Sequence, residues 1–335
     1  MNRIPKIILL LPLMLVIGAI NTVKAQQDAQ FSQYMFNQLF INPAYAGVEG
    51  NFSASLIHRT QWAGYNPTFD NGGSPNTQVL SVAYGNSAFR SGVGLHFVND
   101  MIGPLINREA QLSYAYHVPL GSRNGTQAKL SIGVRGGFYS QTIDFDQFRA
   151  LDPDDKLLQS GVLSQTNSDM AAGIYYHSNT FFGGVSMNHI IPQKFNFGQE
   201  GSDGTLASNL YVLAGYNFNV GGFNSRWSVS PSVLVKMVPT DLSGYSFDLG
   251  AITTYDNKYF AGISYRQEES ASLILGLKLN KSSKKPTLQI AYGFDYVFIG
   301  QSAKDPTSHE ISVSYKIPIF HTTDPKLNTP RYNNE

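Results

Sequence analysis

The chain has 335 residues, with 24 Lys and Arg against 23 Asp and Glu, and no cysteine. Such balanced charge excludes the basic excess of a nucleic-acid binder. The lack of cysteine excludes a disulfide framework and a lipid-modified cysteine, so stability has to come from hydrogen bonding and packing.

Residues 1–25 read as a cleaved signal peptide. Arg3 and Lys6 precede an apolar run from Ile7 to Ile20, and Val23-Lys24-Ala25 is a small-x-small cleavage site. Loss of Arg3, Lys6 and Lys24 turns the formal +1 into −2 for a mature chain starting at Gln26. The apolar run falls short of the ~20 residues of a span, and no later stretch is long and apolar enough for a transmembrane helix.

Residues 26–50 form an aromatic segment. Phe31, Met35 and Leu39, with Phe36 beside them, recur at helix-like spacing, with Gln33, Asn37 and Gln38 between. Asn42-Pro43 stops a helix and Gly47 permits a turn. Together with Tyr34, Phe40 and Tyr45, these groups form either a plug packed within or against a barrel mouth, or a plain lead-in to the first strand. A free tail needs no such run of large apolar groups, which favours the plug.

From 51 to 318 the chain alternates apolar and polar residues, the mark of strands with one oily and one wet face. Fourteen strands are expected, at 51–61, 77–85, 91–99, 108–118, 128–141, 168–178 and 180–189, then 205–218, 226–238, 244–255, 258–267, 270–280, 286–298 and 308–318. Leu273, Leu275, Leu277 and Leu279 oppose Ser272, Gly276 and Lys278, for example. An even number of such strands, with turns after even-numbered strands mostly shorter than loops after odd-numbered ones, predicts a transmembrane antiparallel β-barrel. Tyr and Phe collect near strand ends, as in Tyr114 and Tyr116 or Tyr216 and Phe218, through interface preference or strand propensity. Pro231 predicts a bulge in the ninth strand, and 319–335 is a tail beyond the last.

The stretch Gln30-Phe31-Ser32-Gln33-Tyr34-Met35-Phe36-Asn37-Gln38-Leu39-Phe40-Ile41-Asn42-Pro43-Ala44-Tyr45-Ala46-Gly47 closely resembles the opening signature of the PorP/SprF family of type IX secretion system proteins. Gln61-Trp62, Gly73 to Gln78 and the closing Ser308 to Tyr315 add to the likeness. The resemblance implies a non-enzymatic outer-membrane barrel of Bacteroidota-like bacteria. Its implied partners are a secreted adhesin-like C-terminal domain, or periplasmic secretion-ring and peptidoglycan-binding components linked to gliding. A passive diffusion or uptake channel is the alternative.

Alternation places Arg59, Glu109, Lys129, Arg135, Lys236, Asp248, Arg266, Lys278, Asp295, Glu310 and Lys316 on the lumen side, as paired charges or as a socket for a partner. Trp62, Tyr65 and Phe69 mark a surface loop suited to partner contact. Asp152-Pro153-Asp154-Asp155, in the 144–167 loop, lacks the Gly and Glu of a calcium loop and reads better as a solvated acidic loop. No HExxH, GxSxG or phosphate-cradling glycine loop is present, so neither catalysis nor a cofactor is expected.

Overall fold

The computed structural model describes residues 28–65, 74–123, 126–147, 160–197, 204–221, 225–239, 241–280, 285–298 and 305–319. Its strands are β1 (Asn51–Thr60), β2 (Asn76–Asn86), β3 (Ser91–Ile102), β4 (Leu105–Arg123), β5 (Thr126–Asp144), β6 (Val162–His177) and β7 (Phe181–Asn188). There follow β8 (Gln193–Phe195), β9 (Gly204–Leu206), β10 (Asn209–Tyr216), β11 (Phe218–Val220), β12 (Trp227–Val238) and β13 (Asp241–Tyr255). The last are β14 (Tyr259–Arg266), β15 (Ser270–Lys278), β16 (Thr287–Val297) and β17 (Thr307–Pro318).

Each wall strand pairs antiparallel with its sequence neighbour. β1 closes on β17 in a continuous register from Asn51↔Pro318 to Thr60↔His309. β10 and β11 share one register against β12 and count as one wall strand, so the barrel closes with fourteen. Closure leaves no free sheet edge in the lipid, where unmet backbone groups are costly. The outward side chains of β15 are Leu273, Leu275 and Leu277, while Ser270, Ser272 and Ile274 turn inward and are buried. Tyr84, Tyr116, Tyr216, Phe218, Trp227, Tyr259 and Tyr315 are exposed on the outward face towards the short-turn rim, with the Tyr216 and Phe218 rings 4.4 Å apart. Among the described residues no helix is long and apolar enough to cross a membrane.

Three expectations need correction. β6 starts at Val162 rather than 168, and β4 at Leu105 rather than 108. The β6 extension carries polar groups outward: Ser164 meets Thr142, and Thr166 bonds Ser140. Past the apolar belt the oily face disappears, and the alternation that marks a strand disappears with it. With β3 ending at Ile102 and β4 beginning at Leu105, Gly103-Pro104 is a tight turn on the long-loop rim, so loop length follows parity less closely than expected.

Residues 205–206 are the second arm of the β8–β9 hairpin rather than wall, because Phe195, Phe197 and Leu206 bury themselves against Tyr139. At Pro231 the ladder to β13 keeps register, Pro231↔Ala251, and the shift falls instead between Met237 and Val238. The wall is interrupted beside it, at Asn217 between β10 and β11. There Asn217 N donates to Thr180 O, and Ser230 Oγ donates to Asn217 Oδ1.

Candidate functional site: the filled lumen

Residues 28–50 run inside the barrel from the long-loop half down to the short-turn rim, then turn up into β1. They form broken turns rather than one helix: 3-10 turns at Tyr34–Phe36 and Pro43–Tyr45 flank a helical turn at Gln38–Ile41. The breaks follow from groups taken by the wall. Ser32 N and Gln33 N donate to the Glu310 carboxylate at 2.8 and 3.0 Å. Asn42 closes the helical turn, accepts from Ala44 N at 2.9 Å, and donates to Ile174 O of β6 at 3.0 Å. Phe31, Tyr34, Leu39 and Phe40 are buried; Met35, Phe36 and Tyr45 are partly buried. Phe36 packs edge-on against Phe260, and Tyr45 against Tyr175.

Glycines on the inner wall make room for this chain. A Cβ on Gly133 would stand 2.4 Å from Ala44 Cα, and one on Gly92 would stand 2.6 Å from Gly47 Cα. Gly47 itself has φ +68, a conformation that favours glycine.

Four polar anchors hold the segment. In the first, Arg59 Nη1 lies 2.7 Å from Asp295 Oδ2 and 2.9 Å from Glu310 Oε2. Ser32 Oγ accepts from Arg59 Nη1 at 2.6 Å and donates to Asp295 at 2.7 Å. All three charged side chains are essentially sealed from solvent.

In the second anchor, Arg266 binds Asp248 at 2.8 Å and donates to Phe31 O at 2.9 Å, while Lys236 contacts Asp248 at 3.1 Å. Tyr34 OH donates to Ser232 O nearby at 2.9 Å.

The third lies in the long-loop half. Asp28 accepts from Tyr211 OH at 2.5 Å and lies 2.8 Å from His189 Nε2, whose Nδ1 is 3.0 Å from Asp169 Oδ1. Burial alone would lift the Asp28 carboxyl, but the His189 charge and hydrogen bonds hold it down at about 2. Burial alone would depress the His189 imidazole, but the flanking Asp28 and Asp169 carboxylates carry it well above its ordinary value. Arg135 donates to Phe40 O at 2.8 Å, and Glu109 lies 3.7 Å from His96 Nε2.

At the short-turn rim Lys316 Nζ meets Glu49 at 2.7 Å, and Tyr45 OH donates to the same carboxylate at 2.8 Å. Burial tends to raise the Glu49 carboxyl, and the Lys316 ammonium holds it at about 2.

The structure thus gathers Arg59 with Asp295 and Glu310, and Lys236 with Asp248 and Arg266, each around the segment that carries the aromatic signature. Trp62 is partly buried at the long-loop rim, its backbone N–H donating to Ser308 Oγ at 3.1 Å, and Tyr65 N donates to Trp62 O. Phe69, Asp152, Asp154, Asp155, the signal segment 1–25 and residues 320–335 lie outside the described residues. Sequence reasoning missed Asp28, His189, Asp169 and Glu49. One signal for the filling was available: glycines at 92, 94, 133, 173 and 250, where the inward face should carry polar groups.

Among known structures, a Pseudomonas aeruginosa FadL homologue is 13% identical, with 84% of this chain and 93% of that chain covered and a TM-score of 0.45. The Ralstonia pickettii toluene transporter TbuX is 14% identical, with 84% and 93% covered and a TM-score of 0.47. The CymD monoaromatic hydrocarbon channel is 14% identical, with 85% and 93% covered and a TM-score of 0.49. No curated protein matches the chain. The family model of the type IX secretion system membrane protein PorP/SprF matches residues 23–315, nearly the whole length of the wall and all of the described lumen segment. The chain belongs to the PorP/SprF family of type IX secretion system membrane proteins.

Proposed function

We propose that the protein is a closed outer-membrane barrel that binds and holds a partner of type IX secretion. The partner is a secreted, adhesin-like C-terminal domain or a component of the secretion and gliding machinery. One observation carries this reading: the barrel's own residues 28–50 fill the lumen and engage β1, β5, β6, β10, β12, β14, β16 and β17 through named hydrogen bonds. Such a lumen supports a docking body better than it supports a diffusion or uptake path. Nor do the charges of the anchors read as a catalytic set, since Arg59, Asp295, Glu310, Lys236, Asp248, Arg266 and Asp28 are each committed to a charged partner. Affinity capture of the detergent-solubilised barrel from its host tests the proposal. Recovery of a large secreted protein's C-terminal domain or of secretion-machine subunits is expected; recovery of neither contradicts it.

A further inference from the structure

The short-turn mouth holds a cavity of about 220 Å³, lined by Lys278, Lys285, Lys316 and Glu49 together with amide side chains such as Asn257 and Gln289. Three ammonium groups face one carboxylate. Glu49, Lys316's partner, sits at the end of the plug beside Gly50, whose φ is +66. Lys278 Nζ donates only to a neutral oxygen, Asn257 Oδ1, at 3.3 Å, and among the described residues no carboxylate pairs with Lys278 or Lys285. The surplus is positive and half-sheltered, where an anion gains more than it would in open water.

We infer that this cavity, which shares Lys316 and Glu49 with the short-turn anchor, is a binding site for a carboxylate of an acidic peptide segment. Glu49 shows what the site accepts: its carboxylate already takes a lysine ammonium, a Tyr45 hydroxyl and an Asn51 amide. An incoming carboxylate settles on Lys278 and Lys285 and competes with Glu49 for Lys316. The site is therefore coupled to the lower end of the plug. Lys278, Gln289, Ser314 and Lys316 lie on the inward face of their strands, so the cavity opens into the mouth rather than to lipid, which favours a peptide over a phospholipid headgroup. Its volume suits one or two side chains. The inference does not rest on which secretion partner the barrel holds.

The test is fluorescence anisotropy of a labelled, acetylated penta-aspartate peptide with the full detergent-solubilised barrel at low salt, with penta-serine as control. Lys278→Gln combined with Lys285→Gln weakens binding about tenfold, the scale of one lost charge-assisted hydrogen bond. Glu49→Gln, which removes the internal competitor, tightens it. Thermal unfolding of each variant checks that the barrel is intact. The inference is overturned if both variants bind as the parent does, if penta-serine binds equally, or if phosphatidylglycerol vesicles displace the probe as well as unlabelled penta-aspartate does.

Discussion

Arg59 and Glu310 face each other across the seam that closes the barrel, in register between the first and last wall strands, with Nη1 2.9 Å from Oε2. The same carboxylate takes the backbone N–H groups of Ser32 and Gln33. Wall closure and plug seating therefore share one buried charge. Removing the guanidinium with Arg59→Met leaves Asp295 and Glu310 buried without their counter-ion. Breaking a buried pair in this way costs about 3–5 kcal/mol. Urea unfolding of the folded barrel should show that loss, and a change within error would contradict the shared anchor.

The glycine contacts predict a second outcome. Gly133→Val places side-chain atoms where Ala44 backbone now lies, 2.4 Å from the position of a Cβ. Overpacking of this kind costs about 1–3 kcal/mol, borne by the plug because the wall ladder is fixed by its neighbours. Protease should then reach residues 28–50 in the variant and not in the parent. Gly136→Val is the control, since a Cβ at Gly136 meets nothing within 4 Å.

The Asp28–His189–Asp169 contact predicts a dependence on pH. The His189 pKa is raised on folding, so its contribution is complete below its unfolded value of about 6.5 and is lost as pH rises through the higher folded value. The Asp28 pKa is lowered, so its contribution is present above about 3.9 and is lost only as pH falls towards about 2. The upper plug should therefore be firmest between about pH 4 and 6.5 and loosen in alkali. Protection of residues 28–34 from a protease active across pH 6–10 checks this, and His189→Gln should remove the alkaline loss.

The two faces of the wall predict opposite responses to charge. Leu275 points outward, so Leu275→Arg should cost about 2–4 kcal/mol and impair assembly in lipid. Arg266→Ala removes a lumen group that alternation alone marks as dispensable to the barrel. Arg266 Nη2, however, holds Phe31 O at 2.9 Å, so the variant should keep the barrel and free the start of the plug. Folding yield into vesicles and protease access to Phe31 separate the two effects.

Alternation made most of the wall legible, because lipid on one side and a packed polar interior on the other force a period of two. It failed at residues 162–167, where Ser164 and Thr166 stand beyond the apolar belt, and at Leu206, which is apolar because it caps the lumen. It assigns a residue to a face and says nothing about which inward groups meet. Asp28 and His189 are 161 residues apart, and no spacing joins them. The glycines opposite Ala44 and Gly47 are legible only once the filling chain is known to pass there.

The central claim is that residues 28–50 seal the lumen, and ion conductance in planar bilayers tests it most directly. The intact protein should be electrically silent, and a form lacking residues 26–47 should open steady channels. Steady conductance from the intact barrel, or silence from a correctly folded deletion, would contradict the account.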